Sequence, residues 1–256
     1  MNKDSVPQTL VRIIRAFDVV FIQEIRDAEM TSPGELLALV NVGRSLGDQY
    51  ALLLSPRYGS TSSKEAYGFM YRKAIITPVS HAEVAGNFPE RPGYTVMWTV
   101  AAAADGDAGY TFRMVGAHVD PDNVVHELDQ LGIAAQGYAA NNAPVLTLGD
   151  FNADCSYLGV TKWACIRSSA CKDTEMSLWD GVTFGANNWL LGDDADTTVA
   201  ASSCAYDRIV ASDGLLPRVV SGSVQVHKFD TLFGLTNDEA KEVSDHYPIS
   251  VNIDVR

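Results

Sequence analysis

A chain of 256 residues, 46% of them hydrophobic and 20% charged, can bury a sizeable core, and it contains no apolar run approaching bilayer length. The formal net charge of -13 argues against a protein that grips nucleic acid through a basic surface, because such binding draws its affinity from neutralised phosphates. A hydrolase that must release its product stays open, since bound divalent cations can invert the potential of an acidic cleft.

Thr9 to Phe17 carries Leu10, Val11 and Ile14 at helical spacing and reads as an amphipathic helix. Asp18 to Glu24 follows as a short apolar strand that delivers Glu24 to its end. Pro33 and Gly34 open a second helix with Leu36, Leu37 and Val40 on one face. Tyr50 to Leu54 is the next strand, and Tyr67, Phe69 and Tyr71 alternate as another. Two further strands, Tyr94 to Ala101 and Tyr110 to Val119, flank the turn-rich stretch Asp105 to Gly109 and form a hairpin, the second ending at His118. A helix from about Asp122 presents Val124, Val125, Leu128 and Leu131, and the strand Val145 to Leu148 leads into Gly149-Asp150-Phe151-Asn152.

From Ala153 to Ser203 the chain reads as irregular, with Trp163, Trp179 and Trp189 as local anchors. Tyr206 to Ala211 and Ile249 to Val255 supply the last strands, with a short helix near Asn237 to Val243. No repeat, linker or low-complexity tract divides the sequence, so one domain over 1–256 is expected. The four cysteines, Cys155, Cys165, Cys171 and Cys204, allow two disulfides or four buried thiols. A Cys155 to Cys204 bridge would close a loop worth roughly 4 kcal/mol on a chain-entropy argument.

The ionisable residues fall in a pattern. Glu24, His118, Asp150, Asp207 and His246 each stand at or beside the end of an apolar strand, where layered α/β folds assemble their sites. Any one of them alone is ordinarily a cap or a hydrogen-bonded structural residue. Together they offer what phosphodiester hydrolysis needs: hard oxygen ligands for a cation, and imidazoles to move protons. Glu24, Asp150, Asn152 and Asp245 are three acids and an amide without a basic partner, a set suited to magnesium (or manganese).

The runs Ser244-Asp245-His246-Tyr247-Pro248 and Tyr206-Asp207-Arg208-Ile209 bring a resemblance with them. So do Ile22 to Asp27, Gly149 to Tyr157, Asp196-Thr197-Thr198 and Cys204 to Val210. The chain resembles the deoxyribonuclease I family, within the endonuclease, exonuclease and phosphatase superfamily, from roughly Leu10 to Ile253. The metal and histidine runs are common to the superfamily, while the segments around Cys155 and Cys204 are specific to the family. The resemblance implies a four-layered α/β sandwich with two central mixed sheets flanked by helices. It implies hydrolysis of double-stranded DNA with little sequence specificity, with magnesium and calcium as cofactors.

By the same resemblance His118 and His246 are an acid and base pair, oriented by Glu65 and Asp207 respectively. Arg26 and Arg91 match contacts to DNA phosphates or the minor groove, and Tyr206 and Ser202 match further backbone contacts. Asp196 and Thr198 match a structural calcium site. The resemblance further implies a secreted monomer with no membrane attachment, and actin as a partner that some members bind.

Three departures stand against it. Family members begin with a strand carrying an Asn metal ligand and a DNA-contacting Arg, whereas Met1 falls just before the first helix. The expectation is that a secretory signal and this first strand precede Met1, or else that the chain is an inactive relative acting as a binding protein of the actin type. Ser63 stands where the family has a groove-packing Tyr, and Ser80 to Pro92 lacks the small cysteine loop and acidic calcium site of some members. One calcium site at most is therefore expected. The rival activity is another phosphodiesterase of the superfamily, such as a sphingomyelinase or an abasic-site endonuclease.

Overall fold

The structure, a computed structural model, describes residues 5–60, 64–100, 109–159 and 188–256. Cys165, Cys171, Trp163, Trp179, Ser63 and most of the turn at 105–109 lie outside the described residues. The first half of the chain runs through α1 (Ser5–Ile14), β1 (Val19–Ile25), α2 (Ser32–Asn41), β2 (Tyr50–Leu54), β3 (Ala66–Arg72), β4 (Ile76–Glu83), β5 (Tyr94–Val100) and β6 (Thr111–Gly116). The second half adds α3 (Val124–Tyr138), β7 (Val145–Asp150), β8 (Asp207–Ala211), β9 (Gln225–Val226), α4 (Phe229–Phe233), α5 (Asn237–Val243) and β10 (Ile249–Ser250).

Two sheets form the centre. One has the order β1-β3-β2 with antiparallel neighbours, the other β4-β5-β6-β7-β8 with a parallel β6–β7 pair among antiparallel ones. Side-chain alternation explains why the sheets stack face to face. In β1, Val19 and Phe21 turn inward while Val20 and Ile22 turn toward α1 and α2; in β6, Phe112 and Met114 turn inward while Val115 turns toward α3. Tyr67, Phe69, Trp98, Leu146 and Ile209 fill the space between the sheets. Leu128, Leu131 and Ala135, one stripe of α3, close the outer face of the larger sheet. Each such buried side chain contributes roughly 1.5–3 kcal/mol. Helix, sheet, sheet and helix thus make the four layers that the sequence leads one to expect. No helix among the described residues is long and apolar enough to cross a membrane.

The elements differ from the sequence reading mainly at their ends. α1 begins at Ser5 rather than Thr9, and β6 stops at Gly116, two residues before His118. β4 was not expected, and the Ile249 to Val255 strand shrinks to β10 pairing β9, plus a bridge from Ile253 to Val219. The helix near Asn237 has the expected bounds, set by a capping box in which Thr236 and Glu239 satisfy each other's backbone N–H groups. The long excursion between β7 and β8 is closed by a disulfide joining Cys155 to Cys204. Trp189 anchors it, edge-on to Phe151.

A cavity of about 1160 Å³ opens between the sheets beside β1, lined by Phe21, Ile22, Leu146, Leu148, Ile249 and Val251. It reaches Glu24, Asp150 and His246 at one end. Among the described residues β1 is the edge of its sheet, and all its residues but exposed Glu24 are half-buried.

Gly149, next to Asp150, has φ +138, and a Cβ there would strike the Ala117 carbonyl oxygen. Gly149→Ala is expected to cost at least about 1–3 kcal/mol, the strain of the backbone region alone. Urea denaturation reads it directly, and a variant within about 0.5 kcal/mol of the parent, the scatter of neutral substitutions, would contradict this account.

Candidate active site

The site gathers at one end of both sheets. Glu24 lies where the β1–β3 register shifts between Ile22 and Ile25, a bulge, with φ +54. A bulge re-aims the side chain it carries, and the left-handed backbone conformation is costly for a non-glycine residue, so the position is held by its surroundings. Asp150 ends β7 and faces Asp207 at the start of β8 in register. Asn152, two residues further, also has positive φ, +49. Its N–H donates to Asp150 Oδ1 and its side-chain amide to the Val119 carbonyl, both at 2.8 Å.

Asp150 is the centre of the arrangement. Its Oδ2 lies 3.7 Å from Nε2 of His118 and 3.7 Å from Nε2 of His246. Each imidazole is backed by its own carboxylate: His118 Nδ1 is 3.0 Å from Glu65 Oε1, and His246 Nδ1 is 2.7 Å from Asp207 Oδ2. Glu24 Oε1 stands 4.0 Å from His118 Nε2. The expected convergence of strand ends is therefore present in the geometry. Burial depresses the pKa of His246, but the hydrogen bond and charge of Asp207, with Asp150 and Asp245, outweigh it and push it up to about 10. For His118 burial is likewise outweighed by Glu65 and Asp150, and the group is raised. Burial, with Asp207 nearby, lifts the Asp150 carboxyl to about 6 against the pull of both imidazoles.

The donor set suits a hard cation. Glu24, Glu65 and His118 offer ligand atoms within 4.8 Å of one another, and Asp150 adds a carboxylate that burial holds far from its ordinary behaviour. Asp245 is exposed beside His246, and its charge helps raise that imidazole.

The other expected residues fall less evenly. Arg26 is open to solvent and 3.8 Å from Glu24 Oε2. Arg91 is not a free arm: its Nε is 2.7 Å from Glu65 Oε1 and donates to the His118 carbonyl, with only 14% of the side chain exposed. Tyr206 lies between Tyr157 and His246, at ring distances of 5.4 and 6.1 Å. The exposed Ser202 accepts a hydrogen bond from Thr198 through its carbonyl. Asp196 is engaged by the Lys228 ammonium at 2.8 Å.

Several supporting residues escaped the sequence reading. The Gln23 side chain accepts the Asp150 N–H at 2.8 Å, linking the two sheets at the site, and the Tyr67 hydroxyl accepts the His118 N–H at 3.2 Å. Thr197 accepts the Asp207 N–H through its hydroxyl and the Tyr247 N–H through its carbonyl, while Thr198 bridges His246. Gln23 and Thr197 lie within the motif runs, which was the available signal. Tyr67 had only its strand alternation.

Solved structures with this arrangement of layers define the class. An endonuclease/exonuclease/phosphatase family protein from Leptotrichia buccalis superposes with a TM-score of 0.63 at 18% identity, covering 99% of this chain and 94% of that one. D. rerio TDP2 complexed with single strand DNA product gives 0.59 at 18%, covering 98% and 92%. The fold is thus the α/β sandwich of that class. The Endonuclease/Exonuclease/phosphatase family model matches residues 2–246. Deoxyribonuclease-1 of Bos taurus is 33% identical over 266 residues, covering 99% of this chain and 86% of the relative; that of Homo sapiens is 32% identical over 263, covering 98% and 86%. The chain belongs to the deoxyribonuclease I family of endonuclease/exonuclease/phosphatase proteins, a family of nucleases and phosphodiesterases.

A histidine whose folded pKa is raised stabilises the fold fully below its ordinary 6.5 and loses that contribution as pH climbs through about 10. In metal-free protein kept in EDTA, the Tm difference between the parent and His246→Gln is expected to shrink from about pH 6 toward about pH 10. A difference that stays constant or widens contradicts the Asp207–His246 pairing.

Proposed function

We propose that this protein is a divalent-cation-dependent deoxyribonuclease that hydrolyses backbone bonds of double-stranded DNA with little regard to base sequence. The observation that carries the reading is the placement of one buried carboxylate, Asp150, equidistant from two imidazoles that each have a private carboxylate behind them. Glu24, Asp150, Asn152 and Asp245 would hold magnesium or manganese, whose part is to offset the negative charge of the phosphoryl oxygens.

The side chains do the rest. Glu65 and Asp207 fix the Nδ1 side of His118 and His246, so both Nε2 atoms face the Asp150 carboxylate and the open end of the site. With one imidazole neutral and the other protonated, the first takes a proton from the attacking water and the second gives one to the departing oxygen. Arg26, open to solvent beside Glu24, meets a phosphate in this reading and positions the substrate without reading bases. Arg91 is a further contact to the DNA, and through its Nε it also stiffens the Glu65–His118 pair. Tyr206 and Ser202 border the same face as further backbone contacts. Calcium at Asp196 and Thr198 would have to displace the Lys228 ammonium. The Cys155–Cys204 bridge favours an oxidising compartment, in keeping with a secreted, monomeric, single-domain enzyme.

Nicking of supercoiled plasmid in magnesium tests the reading, with sphingomyelin liposomes as the rival substrate. EDTA is expected to abolish nicking, and His118→Ala and His246→Ala each to reduce kcat by about 10²- to 10⁴-fold with folding retained. Unimpaired nicking by either variant, or cleavage of the lipid alone, overturns the proposal.

A further inference from the structure

Glu127 is fully buried on the inner stripe of α3, between the same sheet and helix as Leu128 and Leu131. A carboxylate in an apolar layer is costly unless hydrogen-bonded, and a leucine there would pack more cheaply. Glu127 reaches backward out of the helix. Its Oε2 accepts the Asp120 N–H at 2.7 Å. Burial raises its carboxyl, while the Asp120 N–H and the charge of Arg91 pull against that rise.

The tethered segment carries part of the site. Asp120 is two residues after His118, and Val119 between them is already fixed by its N–H to the Asp150 carbonyl and by its own carbonyl to Asn152, each at 2.8 Å. On the other side of the pair, the Arg91 guanidinium meets both Glu65 and the His118 carbonyl. The Glu127 carboxylate therefore ties the chain just after His118 to a helix packed on the sheet. No other described side chain hydrogen-bonds the Asp120 N–H.

We propose that Glu127 is a positioning residue for His118, setting the place of its ring against Asp150 and Glu24 through the backbone of Asp120. The inference rests on the deoxyribonuclease reading for its kinetic consequence and on geometry alone for its structural one. An ångström of misplacement at a reacting group costs on the order of 10- to 100-fold in rate.

The variants are Glu127→Ala, Glu127→Gln and, as a packing control on the same stripe, Leu131→Val. They are assayed well below the lowest Tm on plasmid and on the small diester bis(4-nitrophenyl) phosphate. Glu127→Ala is expected to lose about 10- to 100-fold in kcat on both substrates with KM within about twofold, and Glu127→Gln, which keeps one acceptor oxygen, to recover most of the loss. Kinetics for Glu127→Ala equal to those of Leu131→Val overturn the proposal, as does a loss confined to plasmid KM. Hydrogen–deuterium exchange supplies the readout independent of activity. In Glu127→Ala the peptide covering 117–120 should exchange faster, with the β7 peptide unchanged. Unaltered exchange at 117–120 overturns the inference even if the parent protein cleaves neither diester, an outcome that would by itself sink only the functional reading.

Discussion

A carboxylate buried between two imidazoles is the constraint from which the rest of the molecule follows. Asp150 has lost most of its water, and in a poorly solvated setting a lone negative charge is held only by positive charge or by a proton. His118 and His246 supply part of that compensation, and Glu65 and Asp207 keep those imidazoles in a state to do so. Three acids and two histidines thereby compensate one another's charge. Removing either imidazole leaves a buried carboxylate short of its counter-charge.

The two sheets are stacked so that this balance can be reached. Asp150 and Asp207 come together because β7 and β8 pair in register, and His118 arrives from the loop after β6, parallel to β7. Glu24 and Glu65 belong to the other sheet's side of the sandwich. The hydrogen bonds from Asp150 to Gln23 and from His118 to Tyr67 cross the same gap. Interior packing of Phe21, Tyr67, Phe69 and Trp98 thus acts on the site at a distance, by holding the sheets at the spacing those bonds require. The excursion between β7 and β8 adds a second brace, since Thr197 joins the start of β8 to Tyr247.

Much of this was written in the sequence, for a physical reason. β1, β2 and β7 are recognisable as apolar runs and β3 by its alternating aromatics, and polar residues at the strand ends stand out against that background. β4 was hidden because its side chains are mostly exposed and Pro78 and a bulge interrupt it, which is how an edge strand looks. β9 and β10 are only two residues each, too short for any period to register. Among site residues the acids and histidines were legible by chemistry. The pairing of Arg91 with Glu65 is not legible, because sequence cannot tell a solvated arginine from one folded back onto a neighbouring carboxylate. Glu127 is not legible either, because a glutamate inside a helical stripe looks like an ordinary surface position until its burial is known.

The positive φ angles at Glu24 and Asn152 bear on what descendants of this sequence can become. Valine, isoleucine and threonine crowd that backbone conformation, whereas asparagine, aspartate and glycine enter it with little penalty. Drift at these two positions is thereby channelled toward small or unbranched polar residues, whatever the demands of chemistry.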